Sequence, residues 1–335
     1  MSYIVYARPE NCNACGASVE PWLHNVQDQV YGVNGQWDIY RCCNRACATA
    51  YLDAKLEPNE LSGFYDTYST HLPPVLEVSG VKLIFRQAVE WMLHRKLGYD
   101  KPNAPLISYM LASILLVIPF FRATALSRAF WLPFKPDGKL VEIGFGNAQS
   151  LVQLRKLGWQ VSGVEFDSVC VKDAKKLGFD VGQGNFESQG YVDASLDAVV
   201  ASHVIEHVPE PGRLMSSIYE KLAPGGRMVL VTPNALSWGA AIFKASWRGL
   251  EVPRHLTIQT PNSLLWHARK AGFQKVRVFG TPLGGGILHQ SMQISLGLKC
   301  GPANPLVRFF WVAIANMIHI VRPQLSDEVV LICQK

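Results

Sequence analysis

From residue 139 onward, short apolar runs alternate with amphipathic segments, and glycine or proline stands at most of the junctions. Short apolar runs bounded by turn residues predict buried strands, and apolar residues at helical spacing predict helices that bury one face. The predicted strands are residues 139–143, 160–165, 180–184, 196–202, 227–232, 274–279 and 328–333. The predicted helices are residues 148–157, 168–177, 211–222 and 261–271. Because strands that alternate with helices form a parallel sheet, we predict an α/β fold with a seven-stranded, doubly wound sheet and helices on both faces.

The chain before residue 139 has a different character. Residues 1–72 hold five of the eight cysteines, together with short strand-like runs at Tyr40–Arg41 and Ala50–Leu52. Residues 73–136 are apolar and are bounded by prolines, which favours helices. We therefore predict three domains. These are a cysteine-rich zinc-binding module at 1–72, a helical linker or cap at 73–136, and a main domain at 137–335 with an apolar insertion at about 281–326.

Two apolar segments, Leu106–Phe121 and Leu306–Val321, are shorter than the ~20 residues that span a bilayer. We predict that they pack on the core or line a substrate pocket. Insertion through a membrane and peripheral contact with a membrane are the alternatives. The apolar content of Leu306–Val321 suggests that the acceptor is hydrophobic or lipid-linked. The arginines that would suit lipid headgroups are Arg122, Arg128, Arg308 and Arg322.

Composition narrows the class of protein. A hydrophobic content of 49% with 17% charged residues excludes a disordered chain. The net charge of +6 is mild, and no dense run of lysine and arginine indicates a nucleic-acid surface. An acidic substrate or an anionic membrane fits the same sign. Residues 1–10 lack the pattern of a secretory signal, so we expect a cytoplasmic protein in which clustered cysteines bind metal.

The cysteines form two close pairs, Cys12-x2-Cys15 and Cys42-x4-Cys47. Two such pairs can supply four thiolates to one zinc ion, and four protein ligands leave no open position, as in structural sites. Cys43 competes with Cys42 as the third ligand. A redox role for Cys12 and Cys15 is the alternative.

The first strand of the main domain ends in a glycine turn, Val141-Glu-Ile-Gly-Phe-Gly-Asn147. Gly144 and Gly146 remove side chains where a ligand must approach the backbone. Gln149 occupies the place of a third glycine, which disfavours a pyrophosphate ligand, and the acidic Glu142 suits a cationic amino-acid group.

About 20 residues later, the second strand ends at Glu165 and Phe166. A carboxylate at this strand tip can accept hydrogen bonds from two ribose hydroxyls. The aromatic ring beside it can pack on an adenine. The glycine turn and Glu165 together therefore predict a nucleoside site; a solvated strand-end carboxylate is the alternative.

These motifs resemble those of the class I S-adenosylmethionine (SAM)-dependent methyltransferases over about residues 137–280. The resemblance is carried, in chain order, by Glu142-Ile-Gly-Phe-Gly-Asn147, Val164-Glu-Phe-Asp167, Asp197-Ala-Val-Val-Ala-Ser-His-Val-Ile-Glu-His-Val-Pro-Glu-Pro211 and Leu222-Ala-Pro-Gly-Gly-Arg-Met-Val-Leu-Val-Thr-Pro-Asn234. It implies a Rossmann-like fold and SAM as cofactor. The cysteine-rich front end is similar to the zinc-ribbon-like module of some bacterial methyltransferases, which often act in cell-envelope or natural-product biosynthesis.

The resemblance also implies roles for individual residues. The methionine part of SAM would be surrounded by Glu142, Gly144, Gly146 and Asn147. The ribose would be held by Glu165, the adenine would be flanked by Phe166, Asn185 and Phe186, and the methyl end would be lined by Ser202 and His203. The sequence departs from the family pattern at Phe145 and Asn147-Ala148, where small residues and a third glycine are commoner.

The string His203-Val-Ile-Glu206-His207 also matches the H-x-x-E-H pattern of one class of metallopeptidase. That chemistry needs both histidines on one face of a helix. Here the string directly follows a predicted strand, and Pro209 and Pro211 come immediately after it. We therefore predict a strand-to-helix loop that forms a pocket wall.

If the acceptor atom is an oxygen, a general base assists methyl transfer. Our candidates are His255 first, His203 second and His289 third, with Arg254 to hold an anionic acceptor. A cap of Tyr65, Tyr68 and His71 over the acceptor is a further hypothesis, with plain aromatic packing as its alternative.

We therefore predict a SAM-dependent methyltransferase acting on a small-molecule or glycan- or lipid-linked acceptor. An NAD(P)-dependent oxidoreductase and a non-catalytic binding protein are the alternatives that remain open.

Overall fold

The computed structural model describes residues 5–57, Gly63 and 81–335. The hypothetical cap of Tyr65, Tyr68 and His71 lies outside the described residues. In chain order, the strands are β1 (Tyr6–Ala7), β2 (Val19–Val26), β3 (Trp37–Cys42), β4 (Ala50–Asp53), β5 (Lys55–Leu56), β6 (Lys139–Ile143), β7 (Gln160–Glu165), β8 (Asp180–Gln183), β9 (Leu196–Ser202), β10 (Leu222–Pro233), β11 (Thr257–Ile258), β12 (Lys275–Thr281) and β13 (Glu328–Gln334). The helices are α1 (Val81–Leu97), α2 (Leu106–Leu115), α3 (Pro119–Ser127), α4 (Gln149–Lys156), α5 (Ser168–Lys176), α6 (Pro211–Lys221), α7 (Trp238–Phe243), α8 (Pro261–Lys270), α9 (Gly285–Ser295) and α10 (Pro305–Val321).

The seven strands predicted after residue 139 form one sheet, in the order β12-β13-β10-β9-β6-β7-β8. The neighbours among β10, β9, β6, β7 and β8 are parallel, whereas β13 runs antiparallel to both β10 and β12. The chain starts in the middle at β6, moves outward to β8 and returns to β9. This reversal between β6 and β9 is the place where doubly wound sheets bind ligands, beyond the carboxyl ends of the strands.

Alternation along β9 explains why helices cover both faces of the sheet. Val199 and Ala201 point into a core shared with α6 and α8, while Ala198 and Val200 point into a second core shared with α1. Successive side chains of a strand face opposite sides, so an apolar strand buried on both sides must be a central one. The predicted fold class is confirmed.

The cysteine-rich segment forms a second sheet, in the order β11-β4-β3-β2, and β11 belongs to the chain after β10. β11 pairs antiparallel with β4, a contact that the sequence analysis did not anticipate. The buried Tyr6 hydroxyl lies 2.8 Å from the carbonyl oxygens of both Leu52 and Leu256. The N-terminal module is therefore built together with the segment that follows β10.

The described part of residues 73–136 consists of α1, α2 and α3, and the stretch predicted as an apolar insertion contains α9 and α10. In the part of the chain that the structure describes, no single helix is long and apolar enough to span a membrane. The pair formed by α2 and α3 reaches that length together, with a bend of 113° between them.

Candidate active site

The turn after β6 is fixed by backbone geometry. The Gly144 N–H donates to the Val164 carbonyl at 2.8 Å, which joins the ends of β6 and β7. Gly144 has a φ of +71°, and a Cβ atom added there would lie 2.4 Å from Val204 Cγ2. Gly146 also has a positive φ, of +53°. Only glycine combines this conformation with the missing side chain, so the turn leaves its backbone open to a ligand.

The Glu165 carboxylate lies against this turn. Its Oε2 accepts a hydrogen bond from the Gly146 N–H at 2.9 Å. Its Oε1 accepts from the N–H groups of Phe166 at 2.7 Å and Asp167 at 3.2 Å. The Phe166 side chain is 68% exposed directly beside it. Because each carboxylate oxygen can accept more than one hydrogen bond, Glu165 retains capacity for a ligand's hydroxyl groups.

Glu142 lies buried near the same turn, and it is the most unusual group of the site. Its Oε2 has no hydrogen-bond partner among the described residues. Burial raises the pKa of Glu142 to about 8. A hydrogen bond with Ser150 lowers this pKa, and the negative charge of Glu165 raises it further. An unpartnered carboxyl oxygen in a buried place is costly, and a ligand's ammonium group would satisfy it.

The residues predicted to flank the adenine differ in their exposure to solvent. Phe166 is exposed and Asn185 is half-buried. Phe186, by contrast, is only 2% exposed and stacks on Tyr191 with 5.2 Å between ring centroids. The predicted contact between Phe186 and adenine is inconsistent with this burial, because the ring belongs to the hydrophobic core. The turn residue Asn147 accepts a hydrogen bond from Gln149 N at 3.2 Å, at the start of α4.

Ser202 and His203 lie at the carboxyl end of β9. His203 has a φ of +54°, an uncommon conformation for a residue other than glycine. Its Nδ1 lies 3.3 Å from Glu206 Oε1 and its Nε2 lies 3.2 Å from Glu328 Oε2. Burial lowers the pKa of His203, but its contacts with the Glu206 and Glu328 carboxylates outweigh this effect and hold the pKa well above its usual value. A histidine with a raised pKa is a poorer acceptor of a proton from the substrate, which argues against His203 as the general base.

The first candidate base, His255, is also placed differently from the prediction. Its side chain is 4% exposed, and its Nδ1 donates to the Gly249 carbonyl at 2.7 Å. Burial lowers the pKa of His255 to about 4, despite the opposing effect of Glu251. A ring so enclosed does not face an open acceptor site, so the structure argues against His255 as the base.

Two further acceptor-side candidates can be placed. The Arg254 side chain is fully buried and pairs with Asp28 at 3.2 Å and Glu251 at 3.1 Å, so its predicted contact with an acceptor is inconsistent with the structure. His289 is half-buried on α9. Asp28 carries no local signal, because its partner Arg254 is 226 residues away in the chain. Glu251 was also not predicted, although it lies only three residues from both Arg248 and Arg254.

The string His203–His207 adopts the predicted loop geometry. Residues Ile205–His207 form a single 3-10 turn directly after β9. Glu206 is fully buried, and its Oε2 accepts a hydrogen bond from the Thr232 hydroxyl at 2.9 Å. His207 contacts His255 rather than His203, with 4.6 Å between the ring centroids. The helical ligand pair of a metallopeptidase is therefore not formed.

The two cysteine pairs converge. The Sγ atoms of Cys12, Cys15, Cys42 and Cys47 all lie within 4.8 Å of one another. Cys12 Sγ is 3.5 Å from Cys47 Sγ, and Cys15 Sγ is 3.4 Å from Cys42 Sγ. The hydrogen bond from Cys47 lowers the pKa of Cys12 to about 4 against the effect of burial. Cys43 is exposed and lies next to the Ser18 hydroxyl instead.

The doubly wound sheet, the glycine turn and the carboxylate at the tip of β7 together define a nucleoside-binding α/β domain. Residues 119–278 match the family described as "Methyltransferase domain". The matched residues contain the motifs that resemble those of the class I SAM-dependent methyltransferases, and this resemblance is confirmed.

Curated relatives and solved structures are similar over parts of the chain. A probable S-adenosylmethionine-dependent methyltransferase of Mycolicibacterium smegmatis is 29% identical over 101 residues, which are 30% of this chain and 39% of that protein. A ubiquinone biosynthesis O-methyltransferase of Xanthomonas axonopodis is 26% identical over 160 residues, 44% of this chain and 67% of that protein. The crystal structure of a SAM-dependent methyltransferase from Archaeoglobus fulgidus is 19% identical, with a TM-score of 0.45 and coverage of 64% of this chain and 91% of that one. The chain spans between 39% and 69% of the length of the curated relatives it matches.

The raised pKa of Glu142 predicts a specific pH dependence of stability. In the folded protein this carboxyl keeps its proton up to about pH 8, whereas in the unfolded chain it ionises near its ordinary pKa of 4.5. The folded state therefore binds more protons between these values, and the free energy of unfolding should fall as the pH rises from about 5 to 8. Glu142→Gln should remove this contribution and be more stable than the wild type at pH 8 by on the order of 2–4 kcal/mol.

Thermal and denaturant unfolding at pH 5, 6.5 and 8 would measure the effect. Glu187→Gln, at an exposed position, is the matched control and should follow the wild type. Parallel pH profiles for the wild type and Glu142→Gln would contradict the assignment of a protonated, buried Glu142.

Proposed function

We propose that this protein transfers a methyl group from SAM to an oxygen atom of a small acceptor that carries an apolar part. The observation that carries the proposal is the contact between Gly146 N and Glu165 Oε2 at the carboxyl ends of β6 and β7. Several curated relatives are named ubiquinone biosynthesis O-methyltransferases, which agrees with transfer to oxygen.

The residues of the groove fit each part of SAM. Bound SAM supplies a methyl group activated on a sulfonium sulfur. The unpartnered Oε2 of Glu142 would accept from its ammonium group. Glu165 would accept from the ribose hydroxyls, and the exposed Phe166 ring would cover the adenine. The pKa of His203 is raised and the His255 ring is enclosed, so the protein would act mainly by holding donor and acceptor in line and excluding water.

The apolar part of the acceptor is proposed from an exposed surface. The side chains of Leu106, Ile107, Met110, Ile114 and Val117, in and just after α2, are each more than half exposed. On α10 the same holds for Leu306, Phe309, Phe310, Met317, Ile320 and Val321. α3 follows α2 and is tied to α10 by the Phe120 N–H, which donates to Asn316 Oδ1 at 3.1 Å. We call these side chains the apolar surface; soluble monomers rarely expose so many together.

The charges around the apolar surface favour an anionic lipid bilayer as its occupant. Residues 106–128 and 296–322 contain no aspartate or glutamate. They do contain Arg122, Arg128, Lys299, Arg308 and Arg322. Helices with apolar side chains flanked only by cations bind at the interface of bilayers that carry anionic headgroups. An enzyme held there would reach acceptors dissolved in the lipid.

The cysteine cluster is proposed to hold a structural zinc ion. A zinc ion bonded tetrahedrally to four thiolates at about 2.3 Å spaces the sulfurs about 3.8 Å apart. The distances of 3.4 and 3.5 Å between paired sulfurs are close to this spacing. The cluster supports the start of α8, because the Thr260 hydroxyl donates to the Cys47 carbonyl at 2.6 Å. Zinc would therefore stabilise the module and, through it, the main domain.

Ligand binding distinguishes the proposal from its two alternatives. Isothermal titration should show binding of SAM and of its demethylated product but not of NAD. Glu165→Gln should weaken SAM binding roughly 10- to 100-fold, because hydrogen bonds to a charged group contribute about 1.5–3 kcal/mol. Glu187→Gln is the exposed control and should bind as the wild type does. Binding of NAD alone would favour an oxidoreductase, and binding of none of the three a non-catalytic protein.

Metal analysis tests whether Cys42 or the neighbouring Cys43 binds the zinc ion. Cys42→Ser should lose bound zinc and should unfold at a lower temperature, because three thiolates hold the ion less firmly. Cys43→Ser is the matched control, since its exposed thiol lies outside the cluster, and should keep one zinc per chain. Elemental analysis with thermal unfolding measures both. Equal zinc loss in the two variants would show that the ligand set is wrong.

Vesicle sedimentation tests the apolar surface. The wild type should bind vesicles containing anionic lipid, and should bind neutral vesicles and high-salt samples less. The double variant Leu306→Ser, Phe309→Ser should bind at least 10-fold more weakly, since each exposed side chain contributes about 1.5–3 kcal/mol when buried. Val192→Ser, which alters an equally exposed side chain elsewhere, is the control. A wild type that ignores vesicles, or that forms dimers which the double variant abolishes, would contradict the proposal.

A further inference from the structure

A second group of potential metal ligands lies at the carboxyl edge of the sheet. Glu206, His207 and His255 each offer one ligand atom, and these atoms lie within 4.8 Å of one another. Glu206 and His207 come from the turn directly after β9, and His255 comes from the loop before β11. The Leu256 N–H donates to the Glu206 carbonyl at 2.8 Å, so the two segments are held together by the backbone.

The two histidine rings are oriented by carbonyl oxygens. His255 Nδ1 lies 2.7 Å from the Gly249 oxygen, and His207 Nδ1 lies 2.9 Å from the Arg254 oxygen. A carbonyl oxygen can only accept, so each Nδ1 must carry a proton. Such a bond at one ring nitrogen fixes the tautomer and orients the other nitrogen, the arrangement that usually supports a histidine bound to a metal.

Glu206 has one oxygen that is satisfied and one that is not. Its Oε2 accepts from the Thr232 hydroxyl at 2.9 Å. Its Oε1 is fully buried and has no hydrogen-bond partner among the described residues, and its contact with His203 Nδ1 at 3.3 Å is an ion pair. A carboxylate with a supported oxygen and a buried, unsatisfied one is arranged as a ligand with its supporting partner.

Two carboxylate oxygens lie near Nε2, the second ring nitrogen of His255. Its Nε2 lies 3.9 Å from Glu206 Oε1 and 3.7 Å from Glu251 Oε2. With the proton on Nδ1, a neutral ring presents a lone pair at Nε2 toward two carboxylates. Lone pairs that converge in a buried place repel one another unless a cation lies between them. Glu251 is already paired with Arg248 and Arg254, which leaves Glu206 and the two histidines as the ligand set.

We propose that Glu206, His207 and His255 bind one divalent transition-metal cation. Two imidazole nitrogens and one carboxylate oxygen suit zinc, iron, cobalt or nickel rather than magnesium or calcium. Three protein ligands leave a coordination position for an oxygen donor, as in catalytic rather than structural sites.

The experiment counts bound metal in the full-length protein with zinc in its cysteine cluster. Titration with Co²⁺ should load one further equivalent, seen by native mass spectrometry. Its absorption should lack the charge-transfer band that cobalt gives with thiolates. Glu206→Gln and His255→Gln should lose this equivalent. Thr232→Val, which removes only the hydrogen bond that positions Glu206, should weaken binding by 10- to 100-fold.

His289→Gln is the matched control, because this half-buried histidine on α9 lies outside the cluster and should leave Co²⁺ binding unchanged. Absence of a further equivalent in the wild type would overturn the proposal, as would equal losses in His289→Gln and His255→Gln. If the buried variants fail to fold, the wild-type count and Thr232→Val decide. SAM titration of the same samples separates the outcomes, since lost SAM binding with an intact cobalt count refutes only the proposed function.

Discussion

The hydrogen bond from Gly146 to Glu165 is the constraint on which the arrangement of the site depends. It requires the turn after β6 to lie directly beside the tip of β7, and the parallel register that pairs Glu142 with Gly163 provides this. A Cβ atom added at Gly163 would lie 2.6 Å from Phe145 Cδ1. The buried Phe145 ring therefore occupies the space that Gly163 leaves. This packing explains how the turn accommodates a large residue where related sequences commonly have a small one.

The elements of the main domain could be predicted because their signals are local. The apolar run of β9 is buried on both faces, and the glycine turn and Glu165 each lie at the end of such a run. The glycine turn and the strand-tip carboxylate are defined by residues within one strand-turn-helix unit. Their relation to each other follows from the parallel pairing of consecutive strands. The fold, and the proximity of the glycine turn to Glu165, could thus be predicted from the sequence.

The acceptor side was not accessible, because burial there depends on segments that are far apart in the chain. Arg254 and Asp28 are 226 residues apart, yet their side chains form a buried ion pair. No local pattern distinguishes His255 in an open loop from His255 beneath the N-terminal module. Phe186 was likewise predicted to lie beside adenine, whereas it belongs to a core cluster that includes the distant residues Val141 and Leu264. Sequence patterns report periodicity, whereas these positions are decided by tertiary contacts.

The segment between α10 and β13 connects the apolar surface to the site. Asp327 accepts a hydrogen bond from Trp247 Nε1 at 2.9 Å, and Asn234 Nδ2 donates to the carbonyl of Ser326 at 2.9 Å. Glu328, the next residue, reaches His203. A chain anchored at both of these points cannot shift α10 without moving the partner of His203. The segment at residues 326–328 therefore couples the position of α10 to the carboxyl edge of β9.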